Sequence, residues 1–142
     1  MVTATLSDGT TTITFHNFRE VNRRLEAENF VRFAYPDNEG AEVIFEGQWF
    51  RVFRFRFQLK NDASFPTSGD SAADKRADLE TLLLNGGVNE WLFTVTFDSE
   101  DSTPGSPQTE NYDGKVKLCQ MVTKGGENSV VIEGDLEFWE SI

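Results

Sequence analysis

The chain has 142 residues, of which 24 are Asp or Glu and 13 are Lys or Arg, for a formal charge of −11. That length supports one domain with a core of its own, and 38% hydrophobic residues including 13 Phe and 3 Trp predict that the core is aromatic. One Cys (Cys119) and one His (His16) argue against a disulfide framework, a Cys/His zinc site, and a Ser-His-Asp or Cys-His triad with a spare histidine.

In chain order, Thr3 to Leu6 and Thr10 to Phe15 are short Thr-rich runs flanking Asp8-Gly9, a hairpin signal. Residues 17–40 read as a long arm or loop, from NFREVNRRLEAENF to the breaker Pro36-Asp37-Asn38-Glu39-Gly40. A strand through Phe45 then reaches Gly47-Gln48 and returns to Leu59, so 42–59 reads as a Phe-rich hairpin. On its second limb Phe53, Phe55, Phe57 and Leu59 share one side, and Arg54, Arg56 and Gln58 the other.

Ser71 with Asp74 supplies an N-cap and an acid in the first turn, Ala72 to Leu84 supplies helix formers, and Asn85-Gly86-Gly87 stops the helix. Ala72, Leu79, Leu82 and Leu83 fall on one helix face, which predicts packing against a sheet. Glu90 to Asp98 alternates with Trp91, Phe93, Val95 and Phe97 on one side, and an acidic loop follows. Lys115 to Val122 and Ser129 to Trp139 form a closing pair of strands. On the last one Val130, Ile132, Leu136 and Phe138 oppose Val131, Glu133, Asp135, Glu137 and Trp139, and Gly134 marks a bulge or close contact. The expected fold is mainly β, an antiparallel β-sandwich or partly closed barrel with one flanking α-helix at about 71–84, in a single domain over 1–142.

No apolar run reaches the roughly 20 residues of a membrane helix. The opening MVTATLSDGT lacks the basic and apolar regions of a signal peptide, so an intracellular, soluble protein is expected. His16 has no recognisable nucleophile motif around it, and Cys119 reads as a half-buried hydrophobe without a redox role. Asp98, Glu100 and Asp101 lack the register of a calcium loop, and Glu133, Asp135 and Glu137 share one strand face instead of flanking a cleft. No enzyme, metal or cofactor is expected.

The charge is unevenly distributed. Residues 1–60 hold 8 acids and 8 bases, while 61–142 hold 16 acids and 5 bases. A solvated acidic face is one reading, and a molecule with a basic and an acidic side that pair between copies is the other. On the second reading Arg19, Arg23, Arg24 and Arg32 in the arm, with Arg51, Arg54 and Arg56, form a subunit interface, since guanidinium groups pair well with carboxylates.

The order of elements, with early strands, a long arm, a long central Phe-rich hairpin, one capped helix at 71–84 and a closing pair ending VVIEGDLEFWES, resembles the bacteriophage tail-tube proteins, a group that includes the tube of the type VI secretion system. The IEGDLEF run is similar to the last strand of many of them. The resemblance implies a virion tail protein, assembled in the host cytoplasm, whose copies form stacked rings, usually of six, with strands joined around an acidic channel. DNA would pass without specific binding. It also implies that Glu133, Asp135 and Glu137 line the channel and that residues 17–40 reach a neighbour, the partners being the chain itself and other tail or baseplate proteins. Tail-terminator, tube-initiator and baseplate proteins share that fold. A different class of reading is a carbohydrate-binding β-sandwich with Trp49, Trp91 and Trp139 as sugar platforms, of which Trp91 fits least because it shares an apolar face with Phe93, Val95 and Phe97.

Overall fold

The computed structural model describes residues 4–27, 30–34, 41–45, 47–85, 92–98, 108–126 and 130–141, with backbone only for 30–34 and 41–45. The elements are β1 (Ala4–Ser7), β2 (Thr12–Ala27), β3 (Phe30–Ala34), β4 (Ala41–Phe45), β5 (Trp49–Lys60), α1 (Ala72–Leu84), β6 (Phe93–Asp98), β7 (Thr109–Lys124) and β8 (Val131–Glu140). Six strands form a closed antiparallel barrel in the order β1-β2-β5-β8-β7-β6, and β3-β4 form a separate two-stranded sheet. The fold is therefore mainly β with a single flanking helix among the described residues.

Two long strands explain why the chain reads both as a sandwich and as a barrel. The first part of β2 (12–15) pairs with β1, and from His16 to Ala27 it pairs with β5. Likewise β7 pairs with β6 from 109 to 114 and with β8 from 114 to 124. Each strand thus belongs to two sheets and turns a corner between them. The corners carry register shifts at His16/Arg19 and Glu20/Asn22 on β2 and at Val116/Leu118 on β7. An extra residue bends a strand and sharpens its twist, which is what such a corner needs. The result is a minor sheet, β2-β1-β6-β7, and a major sheet, β2-β5-β8-β7.

Between the sheets lies the aromatic core expected from composition. Phe15, Phe53, Phe55, Phe57, Phe97 and Phe138 are almost fully buried, with Leu6, Leu59, Ile132 and Leu136. The rings interlock at centroid distances of 4.5 Å for Phe15–Phe57, 4.7 Å for Phe18–Phe55 and 5.0 Å for Phe55–Phe97. Each buried ring contributes about 1.5–3 kcal/mol relative to exposure.

The helix forms as expected. Ser71 accepts a hydrogen bond from the Asp74 backbone N–H at 3.1 Å, and the Asp74 carboxylate accepts one from the Ser71 N–H at 3.1 Å, a complete capping box. Ala72, Leu79 and Leu82 are buried, and Leu83 packs beside them. The Ala72 N–H donates to Asn61 Oδ1 at 2.7 Å and Lys75 Nζ to the Lys60 carbonyl at 2.8 Å, fixing the helix against the end of β5.

Three expectations need correction. Of the expected arm 17–40, residues 17–27 are instead the longer half of β2, paired with β5 except at its two bulges, and 30–34 are strand β3, paired with β4. Arg23 and Arg24 sit mid-strand because the bulges hide the alternation there. The segment 42–59 is not one hairpin: β4 pairs with β3, and β5 pairs with β2 and β8. On β7 the Val116/Leu118 bulge shifts the phase, so Val116, Cys119 and Met121 pack on the core while Leu118 and Val122 point out. Residues 35–40, Trp91 and residues 99–107 lie outside the described residues.

Candidate functional site

The outer face of the major sheet collects most of the residues singled out by charge. Along β5 it presents Arg54 and Arg56, and along β8, the next strand, Glu133, Asp135 and Glu137. The register sets Arg54 opposite Glu137, Arg56 opposite Asp135 and Gln58 opposite Glu133. The expected separation into a basic and an acidic side is thus not what the strands do: both stripes share one face and neutralise each other within the chain.

The pairs are specific. Arg56 Nε lies 3.3 Å from Asp135 Oδ1, Lys124 Nζ 2.9 Å from Glu133, and Arg24 Nη2 3.1 Å from Glu137 while its Nε reaches Glu26 at 2.7 Å. The Trp139 indole N–H donates to Glu137 at 2.9 Å and, with Arg24, holds its carboxyl below the usual range. Lys124 and then Gln58 do the same for Glu133. Being exposed, these pairs add little stability. Arg54 is exposed and has no ion pair among the described residues, because its cross-strand partner Glu137 is already engaged. Two shallow grooves of about 260 Å³ each run along β8 on this face. One is lined by Asn22, Arg24, Arg54, Leu118, Gln120 and Glu137, and the other by Arg56, Val122, Lys124, Glu133 and Asp135.

The remaining arginines divide. Arg23 turns inward and closes one end of the barrel, 4.8 Å above the Phe53 ring, bonded to Glu20 at 2.5 Å and Glu110 at 3.1 Å. Burial alone would raise Glu110, but hydrogen bonds from Tyr112 and Arg23 outweigh it and hold that carboxyl low. Arg51 pairs with Glu140 at 3.0 Å and lies 5.5 Å over Tyr112. These two are structural plugs within the chain. Arg19 is exposed on β2 without an ion pair among the described residues. Arg32 lies on β3 opposite Val43, and its side chain is outside the description.

Sequence reasoning missed the edges of the major sheet. Among the described residues, no strand pairs with β2 beyond Phe15 on its β1 side, or with β7 beyond Gly114 on its β6 side. Among the described residues, four of the six exposed large hydrophobic side chains lie on these two edges: Val21 (39% exposed) and Leu25 (61%) on β2, Leu118 (46%) and Val122 (59%) on β7. Their hydropathy was legible, but the edge was not, because it depends on which half of each long strand is paired.

Other candidates carry less. His16 lines a cleft of about 370 Å³ with Asp62, Asp70, Lys75 and Asp78. Burial, then the Lys75 and Lys60 charges, lower its pKa, so the imidazole is neutral near pH 7. Lys75 is bonded to Asp62 at 2.6 Å. Among the described residues no group of three His, Cys, Asp or Glu is placed to hold a metal ion. Trp139 lies between Phe50, 5.6 Å away, and Lys117, 4.4 Å over its ring, which leaves little face for a sugar. Trp49 is exposed.

Burial, with Glu80 and Asp135 nearby, pushes the Cys119 thiol up to about 11. At pH 8 it should react with a disulfide reagent at least about tenfold more slowly than after unfolding in denaturant. Equal rates in the two states would place Cys119 on the surface.

No helix among the described residues is long and apolar enough to cross a membrane. Compared with known proteins, the chain matches no family model and no curated protein sequence.

Proposed function

We propose that the chain is a structural subunit of a bacteriophage tail, assembling edge to edge into rings that stack around a channel. The observation that carries this reading is the pair of free, apolar edges on a four-stranded sheet. Natural edge strands are normally guarded by charge, proline or a covering element, because they template pairing with another chain. Beside Leu25 and Val122, Arg24 and Lys124 are already neutralised by Glu26, Glu137 and Glu133, while Arg19 on β2 and Lys117 on β7 have no ion pair among the described residues.

Strand direction makes the two edges complementary. In an antiparallel sheet of four strands the first and last run oppositely, so β2 of one copy and β7 of the next, with both copies in the same orientation, pair antiparallel. Such a contact is heterologous and continues from copy to copy until rotation closes it. The minor sheet and α1 lie on one side of the major sheet. Their bulk takes the larger radius, and the grooved outer face with Glu133, Asp135 and Glu137 turns toward the channel. The ring number six follows the resemblance, and a tail-terminator, tube-initiator or baseplate role is the alternative on the same fold.

Light scattering on a size-exclusion column across a concentration series, with negative-stain microscopy of any large species, tests the reading. Rings or tubes with a central hole are expected. A strict monomer at the highest concentration reached would overturn self-assembly.

A further inference from the structure

We infer that His16 makes the seating of α1 on the barrel sensitive to acid: protonation of this one imidazole loosens the helix and the segment 61–71 that leads into it. This goes beyond the assembly reading and does not depend on it.

The imidazole stands where three elements meet. His16 lies on β2 opposite Gln58 of β5, and it lines the cleft of about 370 Å³ together with Asp62, Asp70, Lys75 and Asp78. The same residues seat the helix. Lys75 Nζ donates to the Lys60 carbonyl at the end of β5 at 2.8 Å and to Asp62 Oδ1 at 2.6 Å. The other oxygen of Asp62 accepts from the Asp70 N–H at 2.8 Å, and Asn61 Oδ1 accepts from the Ala72 N–H at 2.7 Å. The start of α1 is thus attached through polar contacts gathered beside His16, while Leu79 and Leu82 hold its second half by burial.

Charged groups reach His16 from every side of this junction: Lys60 from β5, Asp62 and Asp70 from the connecting segment, Lys75 and Asp78 from α1. Partial burial, then the Lys75 charge, then that of Lys60, hold the imidazole pKa below its ordinary value. Asp62 acts the other way and is the weakest of the four, since its carboxylate is already engaged by Lys75 and the Asp70 N–H. A proton on His16 therefore adds a third cation beside two ammonium groups at the point where the helix is anchored.

The sign follows from linkage. With α1 released, the imidazole regains water and its ordinary pKa, so the open form binds the proton more tightly than the seated one. Opening is favoured as pH falls through about 6.5, and the gain levels off below the lower pKa of the seated form. One imidazole can raise the open population by no more than about tenfold between pH 7.5 and 5.5. His16 is the one histidine in the chain, Cys119 is pushed up to about 11, and Asp62 is held low by Lys75, so none of these competes in that window.

Hydrogen exchange of the α1 amides tests this, expressed as protection relative to the unstructured chain so that the intrinsic pH dependence cancels. It is measured at pH 7.5 and 5.5, at a concentration where light scattering shows the same species at both. Protection from Lys75 to Leu82 should fall by more than about twofold and no more than about tenfold in the wild type, and should not fall in His16→Gln. The single imidazole also gives a reading that needs no variant: its ring-proton NMR signals should titrate with a midpoint below 6.5 in the folded protein and near 6.5 in concentrated urea. An unchanged wild type, an equal fall in His16→Gln, or a folded midpoint at or above 6.5 would each overturn the inference. So would a fall in the β5 and β8 amides that leaves α1 unchanged, because acid would then act on the barrel and not on the seat of the helix.

Discussion

Replacing Leu118 and Val122 together by lysine should leave a folded, monomeric protein and abolish rings. Both side chains are exposed on β7, so the fold itself should change by no more than about 0.5 kcal/mol. At an edge-to-edge contact, two ammonium groups would be buried beside Arg24 of the incoming β2, and like charges at an interface cost several kcal/mol. Assembly should weaken by at least about a hundredfold, read by light scattering at concentrations where the wild type forms rings. Val21→Lys with Leu25→Lys, on the β2 edge, should do the same. Rings that persist in both variants would remove the edges from the interface.

Mixing the two variants is the sharper experiment. A head-to-tail contact uses one β2 edge and one β7 edge, so the β7 variant still offers a sound β2 and the β2 variant a sound β7. The mixture should therefore give dimers and nothing larger. A two-fold contact of β7 with β7 would instead let the β2 variant dimerise alone. The outcome thus separates heterologous from isologous pairing without a structure of the assembly.

Particular elements show where the sequence was informative. The faces of β5 and β8 were legible because β8 alternates along nearly its whole length and β5 does so from Phe53 to Lys60, which fixes Phe53, Phe55, Phe57 and Leu59 against Ile132, Leu136 and Phe138. The helix was legible because Ser71 and Asp74 form a local cap that needs no tertiary partner. The corners were not. At Asn17, with φ of 49°, and at Val116/Leu118, the backbone inserts a residue and the alternation restarts in the opposite phase. That single effect turned half of β2 into an apparent arm and concealed both free edges. The charge arithmetic left its two readings open for a different reason. Acids and bases distant in sequence, Arg56 and Asp135 or Arg24 and Glu137, become neighbours only through strand order.

The β7 corner itself should be the least tolerant point in the chain. Gly114 is buried where β7 passes from β6 to β8, opposite Phe93 on one side and Glu140 on the other. A Cβ there would fall on the carbonyl oxygen of Trp139, which is main chain in a paired strand and cannot swing away as a side chain would. Gly114→Ala should destabilise the fold by about 3 kcal/mol or more, at or beyond the upper end of ordinary overpacking. The lower entropy of the unfolded alanine chain would offset less than about 1 kcal/mol of this. Gly134→Ala is the natural comparator. Its Cβ would meet the far edge of the Phe57 ring, and that ring can tilt if Phe15 yields with it, so a loss of about 1–3 kcal/mol is expected. Urea unfolding of the two variants against the wild type gives both numbers. A Gly114→Ala protein as stable as the wild type would mean that β7 does not approach Trp139 as described. The two sheets would then not share that corner, and the free β7 edge argued from it would be lost as well.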